Sequence, residues 1–332
     1  MTHRFAAFLS AGDAIRQSLF GAKALALSFP SQPVRFISPF PTGSGPDDIV
    51  RMVAERLASR WKQPVVIDAQ PGDNGFLAVG VVKKAAPTGY DLLVADVGHL
   101  SISPSVFKNL PYDPKADFAP IGGLYRTSLF IMVGAKSPIH SAKDLIAAAV
   151  AKRGKITYGS SSVGGPQHLG AAQVEAVTGT KMLHVPFQEY SALYQAVSTG
   201  EVDWVMGSLA SAGSLLRSGK LRLLAVADNV RSTVFPDVPT FEQSGGRKNV
   251  MVRSWVVVMA PEKTPAAVVM VLNRSLVNVL EQPDVVEKFA SFGCMPYTIT
   301  PAALASLIEK ETIFYADMVR RTGANTDCAD RP

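Results

Sequence analysis

The sequence predicts an α/β protein built as two lobes, and three observations carry that expectation. Strand-like apolar runs alternate with amphipathic helical patterns from residue 33 onward, as in sheets covered by helices on both faces. Two glycine- and serine-rich loops, 39–48 and 159–168, each stand between an apolar run and a helix, far apart in the chain. The 332 residues, 47% hydrophobic and 18% charged, are enough for two ordinary cores.

The elements follow in order. Residues 1–28 combine Arg4, the apolar run Phe5-Ala6-Ala7-Phe8-Leu9 and the small-x-small triplet Ala24-Leu25-Ala26. Asp13, Arg16 and Gln17 interrupt what an export leader keeps apolar. The segment is expected to be a degenerate signal, with a periplasmic mature chain and cytoplasmic retention as the alternative. Beyond it no run of about 18 uncharged apolar residues occurs, so no membrane span is expected.

Strands are predicted at 34–38, 65–68, 91–95, 129–133, 155–158, 182–185, 202–206, 221–227 and 254–260. Many are continuous and β-branched, as buried parallel strands are. Helices are predicted at 49–60, 76–84, 141–152, 167–178, 191–199, 211–218, 265–281 and 301–322. The first carries Ile49, Val50, Val53 and Leu57 on one stripe, with Arg51, Glu55 and Arg56 opposite. Ser141 is a capping hydroxyl, and Thr264-Pro265 and Thr300-Pro301 place one before a proline. Gly154, Gly179, Gly200 and Gly219 fall where helices stop. Crossovers are expected near 128–134 and 223–229. One lobe then comprises 29–130 with 229–332, and the other 131–228.

Composition excludes several functions. The net charge is +6 and the pI about 9.3, but the basic residues are scattered singles and pairs, so no nucleic-acid partner is expected. Cys294 and Cys328 are the only cysteines, without metal or redox spacing; two free thiols or one disulfide both fit. The five histidines have no metal spacing, and no dinucleotide or phosphate-loop fingerprint occurs, so neither metal nor cofactor is expected. Gly159-Ser160-Ser161-Ser162-Val163 lacks the second glycine of a nucleophile elbow, and no base is identifiable for it. These hydroxyls are expected as ligand contacts or caps. A loop of this kind presents backbone N–H groups at a helix N-terminus, which suits an anion, and two of them suggest a ligand held between lobes.

The motifs in joint order resemble one family. They are Pro33-Val34-Arg35, Pro39-Phe40-Pro41-Thr42-Gly43-Ser44-Gly45-Pro46-Asp47, Ala85-Ala86-Pro87-Thr88-Gly89-Tyr90 and Leu110-Pro111-Tyr112-Asp113-Pro114. In the middle segment stand Tyr158-Gly159-Ser160-Ser161, His184-Val185-Pro186-Phe187, Gly200-Glu201-Val202-Asp203 and Ser218-Gly219-Lys220-Leu221-Arg222, followed by Phe235-Pro236-Asp237-Val238-Pro239-Thr240. The chain resembles the Bug-type, TctC-like extracytoplasmic receptors of tripartite tricarboxylate transporters, from about residue 33 to 325. The resemblance implies a type II periplasmic-binding-protein fold, two α/β lobes with a ligand cleft between them. It implies a monomeric, non-enzymatic receptor that captures a small carboxylate or related organic solute for membrane transporter subunits. A non-exported ligand sensor or orphan receptor on the same fold is the alternative.

By position the resemblance implies ligand contacts at Phe40, Thr42, Gly43, Ser44 and Gly45 of the first loop. Asp96, Gly98 and His99 follow from the loop after the third strand. Ser160, Ser161, Gly164, Gly165 and His168 follow from the second lobe, and Phe187 and Gln188 from the next strand end; Gly207 and Ser208 are added as contacts where the chain departs from the family. This chain departs from the family at several of these places. Phe187-Gln188-Glu189 replaces Tyr-Lys-Gly, Met206-Gly207 replaces Phe-Asp, His99 replaces a threonine and Ala172 a glutamate. Pro71-Gly72-Asp73-Asn74-Gly75 also differs from the usual Pro-Gly-Ala-Gly-Gly. Specificity is therefore expected at His99, 187–189 and 206–208. Asp47 is expected to fix the first loop, Asp48 to complement the helix dipole, and Trp255 to pack in the core. Glu189 either points into the cleft or is a solvated loop residue.

Overall fold

A computed structural model describes residues 29–324. The leader assignment and Cys328 lie outside the described residues. The first half is built on β1 (Val34–Ser38), which pairs in parallel with β2 (Val65–Ala69) and β3 (Asp91–Asp96). Helices α1 (Gly45–Trp61) and α2 (Phe76–Lys83) make the connections. The apolar stripe of α1 puts Ile49, Val50, Val53 and Leu57 into a core shared with Phe36, Leu92 and Leu276, all fully buried or nearly so. Ser44 caps α1, its hydroxyl accepting the Asp47 N–H at 3.3 Å.

Strand β4 (Phe118–Gly134) joins the two halves. Its first part, to Ser128, runs antiparallel to β9 (Arg253–Pro261), and β10 (Cys294–Pro296) pairs across it. From Leu129 the partners change to β7 (Trp204–Ser208) and β8 (Leu221–Val226). Parallel pairing to β5 (Thr157–Ser160) and β6 (Leu183–Pro186) completes the second sheet. The sheets are thus mixed rather than wholly parallel. The parallel strands lie within each half, whereas β4 and β9 carry the chain from one half to the other in opposite directions.

Short helices follow β3: a π-helical turn Gly98–Ile102 and α3 (Ser103–Val106). The second half holds α4 (Ala142–Ala151), α5 (Pro166–Thr178), α6 (Tyr190–Thr199) and α7 (Leu209–Arg217). Helices α8 (Ala266–Leu280), α9 (Pro283–Ser291) and α10 (Pro301–Thr322) return to the first half. Ser141 and Thr300 cap α4 and α10 through their hydroxyls. Thr264 does not cap α8, because its hydroxyl donates to the Pro261 carbonyl at 2.8 Å.

The halves are in close contact. Leu169 and Ala172 of α5 are buried in one cluster with Leu304, Ile308 and Tyr315 of α10. The segment between β8 and β9 packs on the second half, where Phe241, Val250 and Val252 share a core with Ile131 and Trp204. Trp255 is buried in the core of the first half. Cys294 is buried and unpaired, and burial pushes its thiol up to about 12. Among the described residues no helix is long and apolar enough to cross a membrane.

Candidate functional site

Both glycine-rich loops reach the boundary between the halves, where two cavities open. The larger, of 460 Å³, is lined by Phe40, Pro41, the turn 71–75, Asp96 and His99 from the first half. Ser161, Ser162, Val163, Phe187, Gln188 and Tyr190 line it from the second. The smaller, of 320 Å³, lies between Thr42, Gly43, Ser44, Gly45 and Asp48 on one side and Glu189, Tyr190, Ser211, Ser214 and Arg217 on the other. Pro41 and Tyr190 belong to both walls and divide them.

The first loop is held by its own helix. Asp47, fully buried, accepts the Gly43 N–H at 2.9 Å and the Arg51 guanidinium at 2.7 Å. Gly43 adopts φ +76°, a left-handed conformation that glycine adopts without a Cβ penalty. The second loop is held by α5. Gln167 accepts both the N–H and the hydroxyl of Ser161, at 2.9 and 2.7 Å. Its amide donates onward to Tyr194, whose hydroxyl lies 2.7 Å from that of Ser211. This buried chain of polar contacts joins the walls of the two cavities. The N–H groups of Thr42, Ser162, Val163 and Gln188 have no hydrogen-bond partner in the described protein. They are donors available to an anionic guest.

Sequence reasoning brings Phe40, Asp96, His99, Ser161, Phe187 and Gln188 to the larger cavity. It brings Thr42, Gly43, Ser44 and Gly45 to the smaller. Gly98, Ser160, Gly164, Gly165, His168, Gly207 and Ser208 line neither. Ser160 is fully buried; its hydroxyl donates to the Ser162 carbonyl at 2.9 Å and lies 2.7 Å from His184 Nε2. His168 accepts the Gly164 N–H at 2.9 Å, and its ring stacks on His184 at 4.2 Å. A Cβ on Gly164 would meet Val106 of the opposite half, one on Gly165 the Ser162 hydroxyl, and one on Gly207 the Tyr194 hydroxyl. Gly98 lies against the Asp96 carboxylate, and Ser208 caps α7. These residues shape the loops from behind. Glu189 is exposed and lines the smaller cavity, away from the larger one.

Electrostatics separates the histidines. Burial pushes His168 down to about 4; burial, and then the neighbouring His168, pushes His184 down to about 3. Both rings are thus weakly basic, which does not suit His184 to activate the Ser160 hydroxyl beside it. Asp96 Oδ1 lies 2.6 Å from His99 Nδ1. Burial opposes the Asp96 charge, but His99 and the N–H groups of His99 and Gly98 outweigh it and hold the carboxyl below its usual range. Burial raises the Tyr190 hydroxyl to about 12, against the pull of its bond to Ser161, so it is neutral at pH 7.

Sequence reasoning missed the turn 72–75, Val163, Ser211, Ser214 and Arg217, and it left Ser162 between ligand contact and cap. The turn had a signal: Gly72, Asp73, Asn74 and Gly75 all take positive φ, and glycine, aspartate and asparagine tolerate this best. Arg217 had none, since its place depends on how α7 meets α1.

Residues 49–323 match the family model for TctC, the tripartite tricarboxylate transporter family receptor. The chain is 30% identical to the protein BugT of Bordetella pertussis over 298 residues, 90% of this chain and 91% of that one. A second relative, a UPF0065 protein of Bordetella bronchiseptica, is 32% identical over 81% of this chain and 79% of its own length. Among solved structures, an R. palustris protein with adipate is 26% identical and superposes with a TM-score of 0.86 over 90% of this chain and 99% of that one. MatC from Rhodopseudomonas palustris with bound malate is 26% identical, with a TM-score of 0.82 over 88% of this chain and all of that one. The periplasmic binding protein BugD, also 26% identical, gives a TM-score of 0.82 over 90% of this chain and 99% of its own. The match across most of the sequence, on a two-lobed fold with a cleft between loops, makes this chain a member of the TctC family of tripartite tricarboxylate transporter receptors.

Proposed function

We propose that this receptor closes its two lobes on a small organic carboxylate in the periplasm and delivers it to membrane transporter subunits, as a monomer and without catalysis. One observation carries the reading: a cavity of 460 Å³ between the halves, lined by Ser162, Val163 and Gln188, whose N–H groups have no hydrogen-bond partner among the described residues, with the Ser160–His184 pair outside its walls. The adipate and malate bound by the structural neighbours support the ligand class. Closure follows when a ligand touches both sets of loops only in the closed state.

The lobes of this reading are 29–128 with 253–324, and 129–252. The change of partners along β4, and the packing of Val250 and Val252 on the second-half core, support carrying that lobe beyond residue 228. Ligand contacts are assigned to Phe40, His99, Ser161, Phe187 and Gln188. A thermal-shift screen of mono- and dicarboxylates, aromatic acids, amino acids and their amides tests the reading. At a hundredfold excess over Kd a ligand stabilises the fold by about 2.7 kcal/mol. No shift with any carboxylate would reject the ligand class. N-terminal sequencing of the mature chain from its host tests export.

A further inference from the structure

The larger cavity has few charges. Its walls carry Asp73, Asp96 and His99, and neither lysine nor arginine. Asp96 is committed to His99 through the 2.6 Å contact with Nδ1, and it also accepts the His99 N–H at 3.2 Å. The His99 carbonyl accepts the Tyr112 hydroxyl at 2.8 Å, which fixes the residue from its other side. The His99 side chain is 9% exposed. Its Nε2 has no partner among the described residues, yet it is not one of the sealed, unsatisfied buried atoms, so it opens on the cavity. Gly75 makes room for it: a Cβ there would lie 2.1 Å from Nε2.

We propose that His99, aimed by Asp96 and cleared by Gly75, is the head group for a ligand carboxylate, and that the cleft selects solutes with one carboxylate and an uncharged far end. This rests on the receptor reading above. With Nδ1 bonded to Asp96, a protonated ring offers its second N–H to a carboxylate at the remaining nitrogen. The walls carry Asp73 as well as Asp96 and neither lysine nor arginine, so a second carboxylate finds no lysine or arginine to pair with in the cavity. The rest of the wall offers the rings of Phe40, Phe187 and Tyr190, which suit an amide, a hydroxyl or an aromatic ring. The dicarboxylates held by the structural neighbours make this a departure within the family.

Titration calorimetry on the purified protein with length-matched probes decides it. The probes are adipate against its monoamide and 6-hydroxyhexanoate, and terephthalate against benzoate. We expect the monocarboxylates to bind at least tenfold more tightly than their diacid partners. His99→Gln and Asp96→Asn each remove at least tenfold of that binding, the second variant guarding against a folding defect in the first. Asp73→Asn, which keeps a residue tolerant of left-handed backbone, raises diacid affinity at least threefold. Diacids binding as tightly as monoacids, or variants binding as wild type does, overturn the proposal and leave the receptor reading intact. Failure of every carboxylate to bind rejects both.

Discussion

Replacing Gly45 with alanine tests closure at its tightest point. Gly45 is the first residue of α1, and its α-carbon faces the Ala210 carbonyl of α7 in the opposite half. A Cβ at Gly45 falls 1.8 Å from that oxygen and 2.6 Å from its carbon, where real contacts stay above 3.0 Å. The two backbones must therefore part by about 1.2 Å, the shortfall from that limit. Neither yields easily, since Ala210 lies in the first turn of α7 and Gly45 is locked between the Ser44 cap and Pro46. The methyl acts as a wedge in the joint. A hundredfold loss of affinity, about 2.8 kcal/mol at 1.4 kcal/mol per decade, is the expected scale. Folding is spared: Gly45 does not need left-handed backbone, and alanine is the better helix former by up to about 1 kcal/mol. The melting temperature without ligand should stay level or rise, while calorimetry with the ligand found in the screen shows the loss. Scattering from the ligand-saturated variant should give a larger radius of gyration than wild type. Wild-type affinity together with a wild-type radius would refute the argument. Gly43→Ala is the contrasting control. Its side chain would enter open space, but at φ +76° it costs about 1–2 kcal/mol of stability, with little effect on closure.

Ser44→Ala removes the hydroxyl cap of α1 and should lower stability by about 1 kcal/mol in urea unfolding; no change would show that the cap does not contribute. His168 and His184 titrate near 6.5 when unfolded, but at about 4 and 3 when folded, so below pH 6.5 the unfolded chain holds more protons. Stability is therefore complete above about pH 6.5 and falls as the pH drops. At 1.4 kcal/mol per unit, His168 accounts for about 3 kcal/mol by pH 4. Unfolding curves at pH 7 and 4.5 should show a smaller difference in His168→Gln, and equal differences would discard the assignment. Glu311, 2% exposed at its side chain, is paired with Arg253 at 2.6 Å, and Arg253→Met should cost about 3 kcal/mol by leaving that carboxylate alone. A cost near zero in thermal unfolding would show that the pair is dispensable.

Much of the fold was legible because its signals are local. Continuous apolar runs marked the parallel strands, and Ser141 and Thr300 marked helix starts. The long strand β4 was half missed for a physical reason. Gly122 and Gly123 break the apolar pattern, yet they sit in the strand because its backbone passes close to others. A Cβ at Gly123 would lie 2.0 Å from the Tyr297 carbonyl, and one at Gly122 would lie 2.9 Å from the Asn273 amide. The first loop was anchored by Asp47 as its spacing suggested, because the bond to Gly43 spans only four residues.

By itself the sequence determined the class of fold, the family, the two anion-suited loops and the places where this chain departs from its relatives. These depend on residue type and spacing along the chain. Tertiary structure decided which loop residues meet the cavity. His99 faces it while Ser160 and His168 turn inward, although all three stand in or beside the loops that leave β3 and β5. The difference is set by partners distant in sequence: Gly75 beneath His99, His184 against Ser160 and His168, and Ala210 against Gly45. Side-chain direction at a loop follows from what packs behind it, and only the folded chain brings that neighbour into place.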